Sequence, residues 1–160
     1  MTDRAAFSDA EWDLLVELPR WVAQAASAAE PNNARQASAE EESGLLAIAD
    51  GRQSASPLVA ELARQLVAIY DDPRKGAVTI DFHDVTVGLA TVLGYAREVS
   101  QLLVAKMDAA DAGAYRQWLL AITDTVIGTV RSGSVLGLGG SVVSEAERRF
   151  RHDLNRALYV

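Results

Sequence analysis

An all-α, single-domain bundle of about six helices is the fold this sequence predicts, and three observations predict it. Apolar residues recur at three- and four-residue spacing over long stretches, the period of one buried helix face. Serines precede such stretches with glutamate three residues on, at Ser8/Glu11, Ser38/Glu41 and Ser144/Glu147, where the two side chains can satisfy two orphaned backbone donors. Breakers separate the stretches: Glu30-Pro31-Asn32-Asn33, Asp71-Asp72-Pro73-Arg74-Lys75-Gly76, and the glycine run Gly137-Leu138-Gly139-Gly140.

The first helix opens at the Ser8/Glu11 capping box, with Phe7 placed to staple onto Trp12. Its pattern passes through Leu15, Val16 and Val22 toward Ala29, and Pro19 inside it predicts a kink or a break. A second helix is expected from Ala39 to about Asp50, capped by Ser38 and stopped by Gly51 at the C′ position. Ser56 as N-cap and Pro57 at the first helical position open a third, striped by Leu58, Leu62, Leu66 and Tyr70. Residues 77–82 read as an extended lead, or a short strand, into a long helix from about Phe82 to Met107. There Val85, Leu89, Val92, Ala96, Val99 and Leu103 share a face. Asp108 or Asp111 caps the fifth helix, lined by Tyr115, Leu119, Ile122, Val126 and Val130. The sixth follows Ser144 and buries Phe150, Leu154 and Leu158. Residues 1–7 are expected to be flexible.

At 160 residues the chain can bury a core without staples, and with no cysteine it has neither a disulfide nor a thiolate site. A net charge of −7 argues against nucleic acid as the partner. No basic start with an apolar core marks a secretory leader. No apolar run approaches the roughly 20 residues of a membrane span. The expected location is the cytoplasm, and 13 arginines against 2 lysines suit a GC-rich bacterial genome.

Four features carry candidate chemistry. Gly137, Gly139 and Gly140 precede a helix, where anions can bind. No lysine follows them and Glu145 and Glu147 occupy the first turn, so a structural loop is expected. No cofactor is expected, and Asp81, His83 and Asp84 form the compact metal-capable cluster that a divalent ion could use. Against it, Asp81 can simply cap the long helix with Asp84 in its first turn. Arg148, Arg149, Arg151 and Arg156 make the last helix basic and a candidate partner surface, with Glu145–Arg149 and Glu147–Arg151 spaced to pair. His152 beside them is expected to face solvent. Glu40-Glu41-Glu42 point in different directions on a helix and read as first-turn acids.

Ser38 and Ser144 each lie 26 residues after a tryptophan, Trp12 and Trp118, which suggests an internal helix-loop-helix duplication. The helix start Val143-Ser144-Glu145-Ala146-Glu147, with a fainter echo in Ala37-Ser38-Ala39-Glu40-Glu41, resembles that of the TerB-like helical domains of tellurite resistance and bacterial stress systems. The resemblance covers about residues 12–50 and 118–158. Where that family has an acidic loop residue this chain has Gly140 and Ala34, so the resemblance implies no metal site here. No catalytic triad or nucleophile elbow is present. The expected function is a non-enzymatic interaction module with a protein partner or a second copy of itself. A metal- or small-ligand-dependent protein and a structural homo-oligomer are the alternatives.

Overall fold

The computed structural model describes residues 1–30, 34–72, 79–132 and 144–159, and within them the protein is all-helical. In chain order the helices are α1 (Asp9–Ala28), α2 (Ala34–Asp50), α3 (Pro57–Asp71), α4 (Val85–Lys106), α5 (Ala109–Ser132) and α6 (Glu145–Leu158). Short 3-10 turns at Arg4–Ala6 and Gly51–Gln53 flank α1 and α2. α1 packs against every other helix and forms the middle of the bundle. No described helix is long and apolar enough to cross a membrane. The glycines Gly137, Gly139 and Gly140, Val143 and the loop at 73–76 lie outside the described residues.

α1 begins as its sequence dictates. Ser8 accepts from Glu11 N–H, the Glu11 side chain accepts from Ser8 N–H, and the Phe7 and Trp12 rings lie 5.9 Å apart. Pro19, however, does not break the helix, which runs unbroken to Ala28. A proline inside a helix costs about 3 kcal/mol, partly because the carbonyl four residues back loses its donor. That carbonyl is Leu15 O, and the buried Tyr115 hydroxyl of α5 donates to it at 2.9 Å. Nine buried residues of α1, Pro19 among them, hold the helix through the missing bond.

α2 starts earlier than its sequence suggests. The helix begins at Ala34, so Ser38 lies inside it, exposed, rather than capping it, and Glu41 has no box to close. The Ala-Arg-Gln-Ala stretch before Ser38 consists of good helix formers, and nothing in it stops the helix from extending backward. The capping echo at Ser38 is therefore absent. At its far end Gly51 is buried under Trp118: a Cβ there would come within 2.6 Å of the indole. Close approach, rather than a left-handed turn, explains this glycine.

α3 is capped by Ser56, which accepts from Val59 N–H, with Pro57 at its first position. α4 starts at Val85 and is capped by Asp84, which accepts from Val87 N–H at 3.2 Å. Residues 79–82 form no strand. Gly88 has a local reason, since a Cβ would meet Phe82 at 2.5 Å and the Asp81 carbonyl at 2.9 Å. The segment before α4 thus folds down onto its first turn. Val92, Ala96, Val99 and Leu103 are buried, and Tyr95 packs its ring 4.8 Å from Trp21 of α1.

Asp108 caps α5 by accepting from Asp111 N–H. Asp111 is itself buried and joins three elements, accepting from Thr2 N–H and from the Ser56 hydroxyl, both at 2.7 Å. The first residues are thereby tied to the heads of α3 and α5. α6 is capped by Ser144, which accepts from Glu147 N–H, and it buries Phe150, Leu154 and Leu158. Its Leu158 carbonyl accepts from Ser100 of α4 at 3.0 Å and from Arg116 of α5 at 2.7 Å.

The Pro19–Leu15–Tyr115 arrangement predicts an interaction between distant substitutions. Tyr115→Phe leaves a buried carbonyl without a donor and is expected to cost about 1–3 kcal/mol in chemical denaturation. In a Pro19→Ala background, where the restored backbone N–H can bond Leu15 O, the same change is expected to cost less. Additive losses in this double-mutant cycle would contradict the account.

Candidate functional site

Small residues leave space between α1 and α2. Gly44 of α2 approaches α1 closely, its absent Cβ only 3.2 Å from the Ala23 methyl. Beyond that contact a cavity of about 510 Å³ opens, walled by Ala23 and Ala28 of α1, Ala37 and Leu45 of α2, Tyr70 of α3 and Val85 of α4. Its α1 residues fall at 23, 24, 27 and 28 and its α2 residues at 37, 40, 41 and 45, so each helix presents one face. The volume lies within the range of small-molecule sites.

The polar lining is acidic. Glu30, Glu40 and Glu41 reach the cavity together with Gln24 and Ser27, and no basic side chain is among the described lining residues. Glu40 is only 4% exposed, and the Ser27 hydroxyl donates to its Oε2. A buried carboxylate needs such partners, because desolvation of its charge is costly. Glu147, on the first turn of α6, is also 4% exposed. Its pKa is raised, first by burial and then by the negative charges of Glu30 and Glu40, against the lowering effect of the Ser144 hydrogen bond. A third element thus adds its carboxylate to the same acidic region.

Tyr70 closes the α3 side. Burial pushes its hydroxyl up to about 12, with Arg20 acting in the opposite sense and Glu41 and Glu17 reinforcing the rise. It remains a neutral hydrogen-bonding phenol at physiological pH. Arg20, the cation felt here, is paired with Glu17 at 2.6 Å. A second depression, of about 410 Å³, lies beside Gly51 and Trp118 and has Asp50 as its charged lining residue.

The residues singled out by sequence fall elsewhere. Asp81 Oδ1 accepts from His83 N–H at 2.8 Å, and Asp84 is engaged as the α4 cap. The cap is therefore Asp84 and not Asp81, one turn later than the spacing suggested. Both aspartates and His83 are exposed, next to Val85 on the cavity wall. Among the described residues no three His, Asp or Glu side chains form a group that could hold a metal ion. On α6, Arg148, Arg149 and Arg156 are exposed, as is His152. Arg149 pairs with Glu145 at 3.3 Å. Arg151 does not pair with Glu147 but reaches across to Asp124 of α5, at 3.0 Å. Inward burial of Glu147 takes it out of reach of its i+4 neighbour on the surface.

Glu40, Ser27 and Tyr70 were not visible as a site in the sequence. Glu40 is one of three consecutive acids, and only the rotation of α2 about its axis separates the buried one from its neighbours. The fainter signal was compositional: alanines at 23, 28 and 37 mark helix faces too small to fill the space between them. No family model, no curated protein and no solved structure matches this chain. The chemistry of the cavity is therefore read from its own walls.

A pH dependence follows from Glu147. Its raised folded pKa means that the folded state binds the proton more tightly. This contribution to stability is full below the unfolded pKa and is lost as pH rises through the folded one. Glu147→Gln removes that loss, so the variant is expected to melt higher than the parent at pH 7–8, with the gap closing toward pH 4. Thermal melts across pH check this; a constant gap would refute it.

Proposed function

We propose that this chain is a non-enzymatic helical binding module and that the cavity between α1 and α2 is where it holds its ligand. One observation carries the reading: an acidic, small-residue-walled cavity in which the polar groups are carboxylates, an amide, a hydroxyl and a phenol. These groups can accept and orient. The Ser27–Glu40 pair sets a hydroxyl against a carboxylate, but acyl or phosphoryl transfer needs in addition a positive charge that stabilises developing negative charge, and no basic side chain is among the described lining residues. Both histidines are exposed and lie outside the cavity lining. The Val143–Glu147 likeness to TerB-like domains agrees with a binding role and names no ligand.

Filling the cavity tests the proposal. Ala37 is half-buried on its wall, and Ala37→Trp puts an indole into the space. In a thermal-shift screen of metabolites against both proteins, ligands at 100 times Kd are expected to stabilise the parent by about 2.7 kcal/mol. For a chain of this length that is about 5–10 °C in Tm. The shift is expected to vanish in Ala37→Trp. Hits retained by the variant would move the site elsewhere, and a hit consumed over time would overturn the non-enzymatic assignment.

A further inference from the structure

We propose that the outer face of α6 is a docking surface for an acidic helical segment of a partner protein. α6 carries four arginines against Glu145, Glu147 and Asp153, in a chain of net charge −7. The acids of the helix leave its outer face basic. Glu147 is buried, Asp153 is half-buried, and Glu145 is held by Arg149. Arg151 turns aside to Asp124 of α5. Arg148, His152 and Arg156 stand exposed, and among the described residues none of the three has an ion-pair partner. All 22 aspartates and glutamates of the chain lie within the described residues, so no acidic side chain outside them offsets these arginines. On the neighbouring α4 the exposed charges Arg97 and Glu98 oppose each other.

Local structure does not account for this row. A cation suits the last turn of a helix, where Arg156 is, but Arg148 stands in the first turn, where the helix dipole opposes positive charge. Spaced four residues apart, positions 148, 152 and 156 share one face, with about 6 Å between successive members. Carboxylates four residues apart on a partner helix have the same spacing, so a helix laid alongside α6 meets the row at each position. At the end of the row Tyr159 is 57% exposed. The Arg116 guanidinium lies 4.9 Å from the centre of its ring while donating to the Leu158 carbonyl. A ring held in this way is already ordered for contact, which lowers the entropic cost of binding. Tyrosine and arginine are also the residue types that dominate interface energies.

The distribution of charge selects a polypeptide among anions. Nucleic acids and anionic bilayers carry dense negative charge beyond the width of one helix, where the acidic remainder of this chain would lie against it. A polypeptide confines its acids to the roughly 12 Å that the row spans. The surface faces away from the buried Glu147 and is independent of the α1–α2 cavity.

Fluorescence anisotropy of the full chain tests this with a labelled alanine-based helical peptide that carries three glutamates four residues apart and a leucine one turn beyond. The peptide is expected to bind saturably, at least tenfold more tightly than its glutamine counterpart, and more weakly as salt is raised. Arg148→Gln combined with Arg156→Gln is expected to lower the affinity at least tenfold and, because both positions are exposed, to melt as the parent does. Tyr159→Ala is expected to lower it at least threefold. Ala37→Trp, which fills the cavity, is expected to bind the peptide as the parent does. Loss of binding in Ala37→Trp would move the peptide to the cavity and overturn the proposal. Equal binding of the glutamate and glutamine peptides, or full affinity in the double arginine variant, would overturn it as well. Tighter binding to phosphatidylserine vesicles or to a short single-stranded DNA than to the peptide would assign the face to another class of partner and overturn the polypeptide.

Discussion

The hydrogen bond from Tyr115 to Leu15 O is the contact on which the arrangement of this bundle depends. α1 touches every other helix, so its unbroken course sets where the others can lie. A proline in its interior removes a backbone donor, and a hydroxyl from another helix supplies the replacement. The bond is specific in a way that apolar packing is not: it fixes the rotation and height of α5 against α1. One turn further along α5, Trp118 stands edge-on to Tyr115, covers Gly51 and donates to the Ala47 carbonyl at 3.4 Å. The constraint thereby passes to the far end of α2. The near end of α2 is tied to α1 by Ser27 and Glu40. The cavity lies around the second attachment, with Ser27 and Glu40 on its lining.

Acidic residues serve two distinct purposes here. Several satisfy helix starts, as Asp84, Asp108 and Glu11 do, where the backbone offers N–H donors and the helix dipole favours negative charge. These interactions are local and each is worth about 1 kcal/mol. Glu40 and Glu147 are different, since both are buried side chains facing a common region from α2 and α6. Their placement costs desolvation energy, offset in part by the Ser27 hydroxyl at Glu40 and by the Ser144 backbone at Glu147. Such placement, beside a cavity that small residues leave open, separates these two carboxylates from the merely acidic surface.

What the sequence revealed of the fold tracks how local each signal was. The starts of α1, α3 and α6 were legible because a cap and its recipient N–H lie within three residues. Apolar spacing found most of the buried residues of α3 to α6 for the same reason, although Val85, expected on the buried face of α4, is exposed. The fate of Pro19 was not legible, because its rescue comes from a residue 96 positions away in the chain. Ser38 misled because a cap motif inside a longer run of helix formers is simply overrun. Asp84 rather than Asp81 became the cap, and Gly88 lets the preceding segment fold onto α4, a steric fact that spacing does not encode. None of the candidate site was read from the sequence, where the small alanines at 23, 28 and 37 were its one local signal. Its carboxylates became distinguishable once the rotation of α2 was known.

The shared carbonyl at the end of α6 has a consequence for how the bundle comes apart. Leu158 O receives one donor from α4 and another from α5, while Phe150 and Leu154 sit in the common core. α6 cannot peel away from one neighbour and keep the other, so its last turn lacks the freedom to fray that helix ends ordinarily have. Three helices therefore form one cooperative opening unit, and the least protected amides of α6 belong at its capped beginning rather than at its tail.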